Sequence, residues 1–286
     1  MEKIQSAIEK ARAARAATPA GPAAGPPPAA AARDTVEPTP TAQAGLAPDT
    51  AAAWAALPSF AADAARLRAG RIVTFAGGSE TVSFDMMRTK VIQQMRANGW
   101  RRLAITSPTA ACGKSTIALN LAFSLARQKE LRTILAELDL RRPTLARMLG
   151  LPGRTGFSEV LEGRADFASS ALRHGAGLAL ALNDGPVRNP AELLQASPVS
   201  GALAAIEARY APDILLFDMP PLLVSDDAMA FIGHVDAVLL VAAAETTTIR
   251  EVDACERELA SQTNVMGVVL NKCRYMGAEY GYSYYG

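Results

Sequence analysis

The chain has 286 residues, half of them hydrophobic, and its net charge of +1 gives no basic footprint for nucleic acid. Three scattered cysteines without C-x-x-C spacing, together with two histidines, argue against a disulfide framework and a zinc site and favour a reducing compartment. Because no apolar run is long enough to cross a bilayer and no signal-peptide pattern opens the chain, we predict a soluble cytoplasmic protein.

The first quarter of the chain has little globular character. Residues 1–17 carry an apolar stripe opposite charged residues, which predicts a short amphipathic helix, either docked on a partner or membrane surface or frayed at the terminus. Residues 18–69 are rich in Ala and Pro and lack an apolar period, which predicts a disordered or semi-extended linker. Within it, Trp54, Leu57 and Phe60 suggest either a weak anchor or part of a loose helix. We expect folded structure from residue 70.

The region 70–274 has the pattern of one α/β domain. A short strand is predicted at 71–75 and a helix at 83–97, and from residue 101 strands and helices alternate. This alternation predicts a doubly wound, mostly parallel sheet covered on both faces. The further predicted strands are 102–106, 133–138, 178–182, 213–218, 236–242 and 265–270. The further predicted helices are 114–128, 143–149, 156–162, 190–195, 198–209, 226–232 and 248–262.

A phosphate-binding loop is predicted between the strand at 102–106 and the helix that follows it. The loop ends in Gly113-Lys114-Ser115-Thr116, as in a P-loop, although Pro108 stands at the first glycine position of that pattern. Backbone N–H groups would cradle the phosphates, Lys114 would reach the β- and γ-phosphates, and Ser115 would bind Mg²⁺. The predicted nucleotide-binding residues are Ala111, Cys112, Gly113, Lys114, Ser115 and Thr116. The alternative is a chance Gly-Lys-Ser-Thr that opens an ordinary helix.

Two apolar strands end in aspartate beside this loop. Asp139 follows the strand at 133–138 and Asp218 ends the strand at 213–218. Because ligands of such sheets bind beyond the carboxyl ends of the strands, both acids are predicted to help hold Mg²⁺, and one of them to act as a base. The alternative is that each caps a helix. A third acid, Asp227, follows nine residues after Asp218; either Asp226 or Asp227 is interpreted as the cap of the next helix, which does not exclude a role in the site. Asn271 is predicted either to contact the adenine edge or to be a turn residue.

Five of the six tyrosines lie at the C-terminus, in a glycine-interleaved segment without apolar period. Residues 275–286 are therefore predicted to form a mobile tail that presents phenols as phosphate acceptors. The predicted acceptors are Tyr280, Tyr282, Tyr284 and Tyr285. The alternative is an aromatic tail that docks on a partner.

Together these motifs resemble the bacterial tyrosine kinases of the CpsD/CapB type, which serve capsule and exopolysaccharide synthesis. The resemblance covers about residues 70–286. It includes the loop at 107–116, the run 137–143 (similar to that family's Walker A′), Asp218-Met219-Pro220-Pro221 (similar to its Walker B), and the tyrosine cluster. It implies a P-loop fold related to MinD and ParA and an autokinase that uses ATP and Mg²⁺, with Lys114, Asp139 and Asp218 as catalytic residues.

The resemblance also implies partners. These are a membrane polysaccharide co-polymerase (a chain-length regulator) as a separate activator, further copies of the chain in a homo-oligomer, and a tyrosine phosphatase. The kinase would then be cytoplasmic and peripheral at the inner face of the cell membrane. Three departures from the family pattern are Ala110-Ala111, where Pro-Gly is usual, Glu137, where Asp is usual, and Asp85, where the family's oligomerisation helix has Arg, with Arg88-Thr89 kept. They leave open a nucleotide-binding scaffold without phosphate transfer, and the core alone also fits a ParA/MinD-like positioning ATPase.

Overall fold

The computed structural model describes residues 48–152 and 154–274. The predicted helix at 1–17, the first part of the predicted linker and the tail at 275–286 lie outside the described residues. This holds also for the four predicted phosphate acceptors. Among the described residues, no helix is both long and apolar enough to span a bilayer.

A seven-stranded sheet forms the centre of the domain, with the strand order β3-β4-β2-β5-β1-β6-β7. Neighbouring strands run parallel except at the edge, where β3 pairs antiparallel with β4. The doubly wound, mostly parallel prediction is therefore confirmed. The strands are β1 (Arg102–Thr106), β2 (Thr133–Glu137), β3 (Ala171–His174), β4 (Leu178–Ala181), β5 (Ile214–Asp218), β6 (Ala237–Ala243) and β7 (Asn264–Asn271). Of these, β3 had not been predicted.

Eleven α-helices are assigned in the described residues, and they cover both faces of the sheet. The helices are α1 (Pro48–Ala56), α2 (Ala64–Ala69), α3 (Val82–Asn98), α4 (Lys114–Ala126), α5 (Leu145–Leu149), α6 (Phe157–Leu161), α7 (Phe167–Ser170), α8 (Pro190–Gln195), α9 (Pro198–Tyr210), α10 (Asp227–Ile232) and α11 (Ile249–Ala260). One core lies under α2 to α5, and the other lies under α1 and α6 to α11. Between these layers, every residue of β2, β5 and β6 is buried, as expected of central parallel strands.

Residues 48–69 correct the linker prediction, because much of this stretch packs on the domain. Helix α1 lies against α9, where Trp54 is only 2% exposed and its indole N–H donates to the Tyr210 carbonyl at 2.6 Å. Leu57 is buried as well. The chain then pairs with β3, where Arg173 donates its N–H to the Pro58 carbonyl at 2.7 Å. The folded unit therefore begins by residue 48 rather than at 70.

The strand predicted at 71–75 is absent from the described structure, and Asn120 gives the physical reason. Its buried side-chain oxygen accepts the backbone N–H groups of Val73 at 2.9 Å and Thr74 at 3.3 Å. Its amide donates to the Arg71 carbonyl at 2.9 Å. The backbone groups that would form a strand ladder are thus bonded to one asparagine side chain of α4, and the apolar residues of this segment pack as an irregular loop.

Candidate nucleotide-binding and catalytic site

The P-loop connects the end of β1 to the start of α4 through two residues with left-handed backbone. Ala111 has φ of 63° and Gly113 has φ of 94°. A Cβ added to Gly113 would lie 2.2 Å from Nδ2 of Asn271, so this position requires glycine for space as well as for conformation. Ala111 takes a conformation that costs an L-residue about 1–2 kcal/mol. The strand–loop–helix context predicted for the motif is present.

Lys114 is buried and lies between the two predicted acids. Its Nζ donates to Oδ2 of Asp139 at 2.7 Å and lies 3.7 Å from Oδ1 of Asp218. Burial alone would lower the pKa of the Lys114 ammonium, but the two carboxylates outweigh burial and the pKa is raised. Ser115 is adjacent, with its hydroxyl oxygen 3.4 Å from the same Nζ. The structure thus brings all four residues together at the carboxyl end of the sheet.

The strand register fixes the two acids beside each other. Ile105 of β1 and Glu137 of β2 both pair with Asp218 of β5. The backbone N–H of Asp139 donates to the Asp218 carbonyl at 3.1 Å, so the chain after β2 continues alongside the end of β5. Asp139 Oδ1 also accepts the Arg142 N–H at 3.2 Å. Parallel neighbouring strands therefore deliver the acids to one site, as the sequence predicted.

Asp218 is a fully buried carboxylate whose nearby cation is Lys114, 3.7 Å away. Its residue exposure is 0%, and neither oxygen has a hydrogen-bond partner of good geometry among the described residues. Burial raises the pKa of Asp218, while the Lys114 charge and the nearby Ser115 hydroxyl act against this. A buried acceptor left in this state is costly unless something else binds it. The hydroxyl of Ser115 and the carboxylates of Asp139 and Asp218 are the oxygen ligands that Mg²⁺ takes together with phosphate.

The metal would need the nucleotide to complete its coordination. Within the described chain, no group of three or more His, Cys, Asp or Glu side chains is arranged to hold a metal ion. Mg²⁺ is usually bound through one or two carboxylates, with waters and substrate phosphates as the remaining ligands. The residues present fit a nucleotide-bound Mg²⁺ site.

Glu137 has a different role from the two aspartates. It is 0% exposed, and its Oε1 accepts the N–H groups of Thr144 at 2.6 Å and Leu145 at 2.8 Å, at the start of α5. Its Oε2 accepts the Asn183 N–H at 3.0 Å. Burial raises the pKa of Glu137 to about 7, against the hydrogen bonds that favour the charge. Glu137 therefore connects the loop after β2 with the loop after β4. Sequence analysis missed this role because the donors are not adjacent to Glu137 in the sequence.

Two contacts link the P-loop to neighbouring strands: one joins Asn271 to the Cys112 carbonyl, and the other joins the Cys112 thiol to Thr247. Asn271 Nδ2 donates to the Cys112 carbonyl at 2.9 Å, so the end of β7 supports the P-loop backbone. The Cys112 thiol is buried and lies 3.6 Å from the Thr247 hydroxyl, in the turn after β6. Contact of Asn271 with adenine stays a prediction. Ala111 and Ala110 are exposed, while Ser115 and Thr116 are half-buried at the first turn of α4.

The start of α10 corrects the helix-cap interpretation: Asp226 takes the N-cap position without a side-chain cap hydrogen bond, and the side chain of Asp227, the next residue, is bound to Arg141. Arg141 lies two residues after Asp139 and donates Nε and Nη2 to the two oxygens of Asp227, the second at 2.9 Å. The Ser225 hydroxyl donates to Asp227 Oδ2 at 2.9 Å. No local sequence pattern indicates this pairing, because the partners are 86 residues apart.

Comparison with known proteins agrees with this geometry. Residues 103–279 match the model of the CobQ/CobB/MinD/ParA nucleotide binding domain. The tyrosine-protein kinase YwqD of Bacillus subtilis (strain 168) is 30% identical over 206 residues, 71% of this chain and 83% of that protein. The tyrosine-protein kinase Wzc of Salmonella typhi is 31% identical over 186 residues, which are 64% of this chain but only 26% of Wzc.

A solved structure supports the same assignment. The kinase domain of the Escherichia coli tyrosine kinase ETK superposes with a TM-score of 0.61 at 26% identity, covering 71% of this chain and 81% of that one. Three findings agree on a nucleotide-binding kinase domain. They are the superposition on a solved kinase domain, the family model that matches most of the folded region, and the relative that is matched along most of its length. The chain belongs to the CobQ/CobB/MinD/ParA nucleotide-binding family and, within it, to the bacterial tyrosine kinases.

Proposed function

We propose that this protein is an ATP-dependent protein-tyrosine autokinase that phosphorylates its own C-terminal tyrosines, among them Tyr280, Tyr282, Tyr284 and Tyr285. The observation that carries the proposal is the convergence of the buried Lys114 ammonium, the Ser115 hydroxyl and the carboxylates of Asp139 and Asp218. Asp218, buried and without a good hydrogen-bond partner in the described structure, is suited to an additional cation.

Each group has a role in phosphoryl transfer. P-loop N–H groups would bind the phosphates, Lys114 would neutralise their charge, and Ser115, Asp139 and Asp218 would hold Mg²⁺. Mg²⁺, when bound with ATP, supplies positive charge that stabilises the phosphate oxygens during transfer. The phenol oxygen forms a bond to the γ-phosphorus as the bond to the bridging oxygen breaks. ADP leaves, and the phenol proton passes to a carboxylate.

Asp139 is the better placed of the two acids to accept that proton. The Asp139 side chain is 11% exposed and the Asp218 side chain is fully buried. Of the two acids, only Asp139 therefore borders the solvent side of the site. A general base must reach the proton that it removes. Asp218 would then act only on the metal, whereas Asp139 would act on both the metal and the proton. In the nucleotide-free protein, the Lys114 ammonium is hydrogen-bonded to the Asp139 carboxylate. Binding of phosphates would draw the ammonium away and leave Asp139 able to accept the proton.

The direct test is to incubate purified protein with MgATP and to measure phosphotyrosine by immunoblot and mass spectrometry of the C-terminal peptide. We expect phosphate on the tail tyrosines, and loss of signal in Lys114→Met and in Asp218→Asn. A protein with the four acceptor tyrosines changed to Phe should still bind nucleotide but lose most incorporation. A signal that survives Lys114→Met, or no signal even with the membrane activator present, would contradict the proposal.

One observation favours a second candidate, a nucleotide-binding scaffold that transfers no phosphate. Ala111 holds φ of 63° in the loop that must wrap the phosphates. A strained loop would bind nucleotide yet turn it over poorly. Nucleotide binding without phosphotyrosine, and normal polymer export after the tail tyrosines are changed to Phe, would identify the scaffold.

The biological setting follows from the proposed activity. We place the protein at the inner face of the cell membrane, where it controls capsule or exopolysaccharide polymerisation and export through a separate membrane co-polymerase. Further copies of the chain would receive phosphate, and a tyrosine phosphatase would remove it. Co-purification with the co-polymerase, and polymer chain length in a Lys114→Met strain, are the measurements that test this setting.

A further inference from the structure

A short segment after β5 contacts both loops that carry the site residues. At its start, the Pro220 carbonyl accepts the Thr106 hydroxyl at 2.7 Å. The Leu222 N–H donates to the Ser107 carbonyl at 2.8 Å and the Leu223 N–H to the Pro108 carbonyl at 3.0 Å, so the segment holds the beginning of the P-loop. At its end, residue 227 binds Arg141 in the loop that carries Asp139.

The contact at residue 227 is unusual in its burial. The Asp227 side chain is 1% exposed, whereas that of Arg141 is 52% exposed, so a surface guanidinium covers a buried carboxylate. Both carboxylate oxygens are engaged by Arg141, and Ser225 adds a third hydrogen bond. Two parallel N–H···O bonds fix direction as well as distance, which a single ion contact does not.

Buried side chains and backbone groups also hold the Asp139 loop: Leu138 and Leu140 are at most 1% exposed, and the Arg142 N–H donates to Asp139 Oδ1 at 3.2 Å. The Leu138 and Asp139 N–H groups donate to the Asp218 carbonyl, and the Leu140 carbonyl accepts the Val187 N–H at 2.9 Å. Beyond Leu140, Arg141 is the side chain that links this loop to the segment after β5. Loss of that link would leave Leu138 and Leu140 in the core but would remove the contact that holds residue 141, two positions from Asp139, against the segment after β5.

We propose that Asp227 is a positioning residue: by binding Arg141 it fixes the loop 138–142, and with it Asp139, relative to Asp218 and the P-loop. The role goes beyond the helix cap that the sequence suggests, and it deepens the proposed function because the site served is the Mg²⁺-nucleotide site. Among the side-chain hydrogen bonds of the described residues, those of Asp227 and Arg141 do not reach Lys114 or Asp218. The effect of Asp227 passes through the geometry of Asp139.

The test measures ADP binding with Mg²⁺ and with EDTA in the full chain, by calorimetry, together with thermal unfolding. We expect Asp227→Asn to weaken Mg²⁺-ADP binding by roughly 10- to 100-fold, the range typical for groups that orient metal ligands, and to leave metal-free ADP binding unchanged. Arg141→Gln should give the same loss, and the double variant should be no worse than either single one. Ser225→Ala, which removes one hydrogen bond, should shift binding in the same direction by less.

The matched control is Glu207→Gln at the opposite end of β1. Glu207 also accepts two hydrogen bonds from one arginine, Arg102, at 2.7 and 2.6 Å, but far from the loop that ends at Lys114. This variant should leave the Mg²⁺ dependence of ADP binding at the wild-type value.

Two results would overturn the proposal. One is a folded Asp227→Asn protein with wild-type Mg²⁺ dependence. The other is an Arg141→Gln protein that loses metal-free ADP binding as strongly as Mg²⁺-ADP binding, because Arg141 would then contact the nucleotide itself. Failure of the kinase proposal is separate: wild-type protein that makes no phosphotyrosine but shows the expected binding pattern would refute the autokinase and support the positioning role.

Discussion

The Lys114 ammonium lies 2.7 Å from the Asp139 carboxylate and 3.7 Å from that of Asp218, so one buried cation faces two acids. This arrangement makes the nucleotide-free site electrostatically dependent on Lys114. Without it, the Asp218 carboxyl would be fully buried with no lysine beside it. Lys114 therefore stabilises the folded protein whereas ionised Asp218 destabilises it. Both effects can be measured without an assay of activity.

The first prediction compares Lys114→Met with Asp218→Asn in the absence of nucleotide. Removing the cation leaves a buried charge without compensation, so the free energy of unfolding should fall by about 3–5 kcal/mol. Because burial raises the pKa of Asp218 above its unfolded value, ionisation of Asp218 destabilises the fold as pH rises past that value. Asp218→Asn should therefore leave stability unchanged or raise it. Urea denaturation at pH 7 measures the free energy of unfolding of both variants. Equal losses of stability in the two variants would contradict this electrostatic explanation.

The second prediction concerns the strain at Ala111. A residue with φ of 63° has its Cβ in an unfavourable position, and glycine removes the cost. Ala111→Gly should raise nucleotide affinity or turnover, with relief of about 1 kcal/mol corresponding to roughly fivefold. Ala110→Gly is the matched control, because Ala110 is not among the described residues with positive φ. If Ala111→Gly lowers both affinity and turnover, the loop is not strained in the way proposed.

The parts of the site that sequence predicted are those fixed by strand geometry. Asp139 and Asp218 could be placed because each follows an apolar strand, and parallel neighbours end at one edge of the sheet. Lys114 and Ser115 could be placed because the loop motif begins a helix. These relations depend on short stretches of sequence, and the structure brings these residues together as expected.

What sequence could not predict depends on contacts between distant segments. Glu137 resembles a third site acid, yet its oxygens are taken by N–H groups at Leu145 and Asn183, which no local pattern indicates. The stretch 48–69 has the composition of a linker, but Trp54 finds its partner 156 residues away on α9. In both cases, a tertiary contact decides the role of a residue whose neighbours in sequence are uninformative.

The third prediction uses the buried carboxyl of Glu137. Its pKa is raised to about 7 by burial, from 4.5 in the unfolded chain, so the folded protein binds the proton more tightly. The free energy of unfolding should therefore fall as pH rises from about 4.5 to about 7, by roughly 2–3 kcal/mol if the whole shift is expressed. Glu137→Gln removes this titration, and the difference between wild type and variant should shrink toward pH 7.

The measurement is urea denaturation of both proteins at several pH values between 5 and 8. Taking the difference cancels the histidines, whose lowered pKa values affect both proteins alike. Parallel pH profiles would show that the hydrogen bonds from Thr144, Leu145 and Asn183 hold Glu137 ionised throughout.

The fourth prediction tests whether residues 48–60 are part of the folded domain. Trp54 is 2% exposed, donates to the Tyr210 carbonyl and lies under the Arg132 guanidinium, 5.3 Å from the ring centroid. Trp54→Ala should lower the free energy of unfolding by about 3–5 kcal/mol, as for other large buried aromatic side chains. Trp54→Phe, which keeps an aromatic ring but loses the indole N–H, should cost less. Nucleotide affinity should not change in either variant, because Arg132 and Tyr210 lie just before the starts of β2 and β5, at the end of the sheet opposite the carboxyl ends that carry the site. A loss below about 1 kcal/mol in Trp54→Ala would mean that this segment does not belong to the cooperative unit.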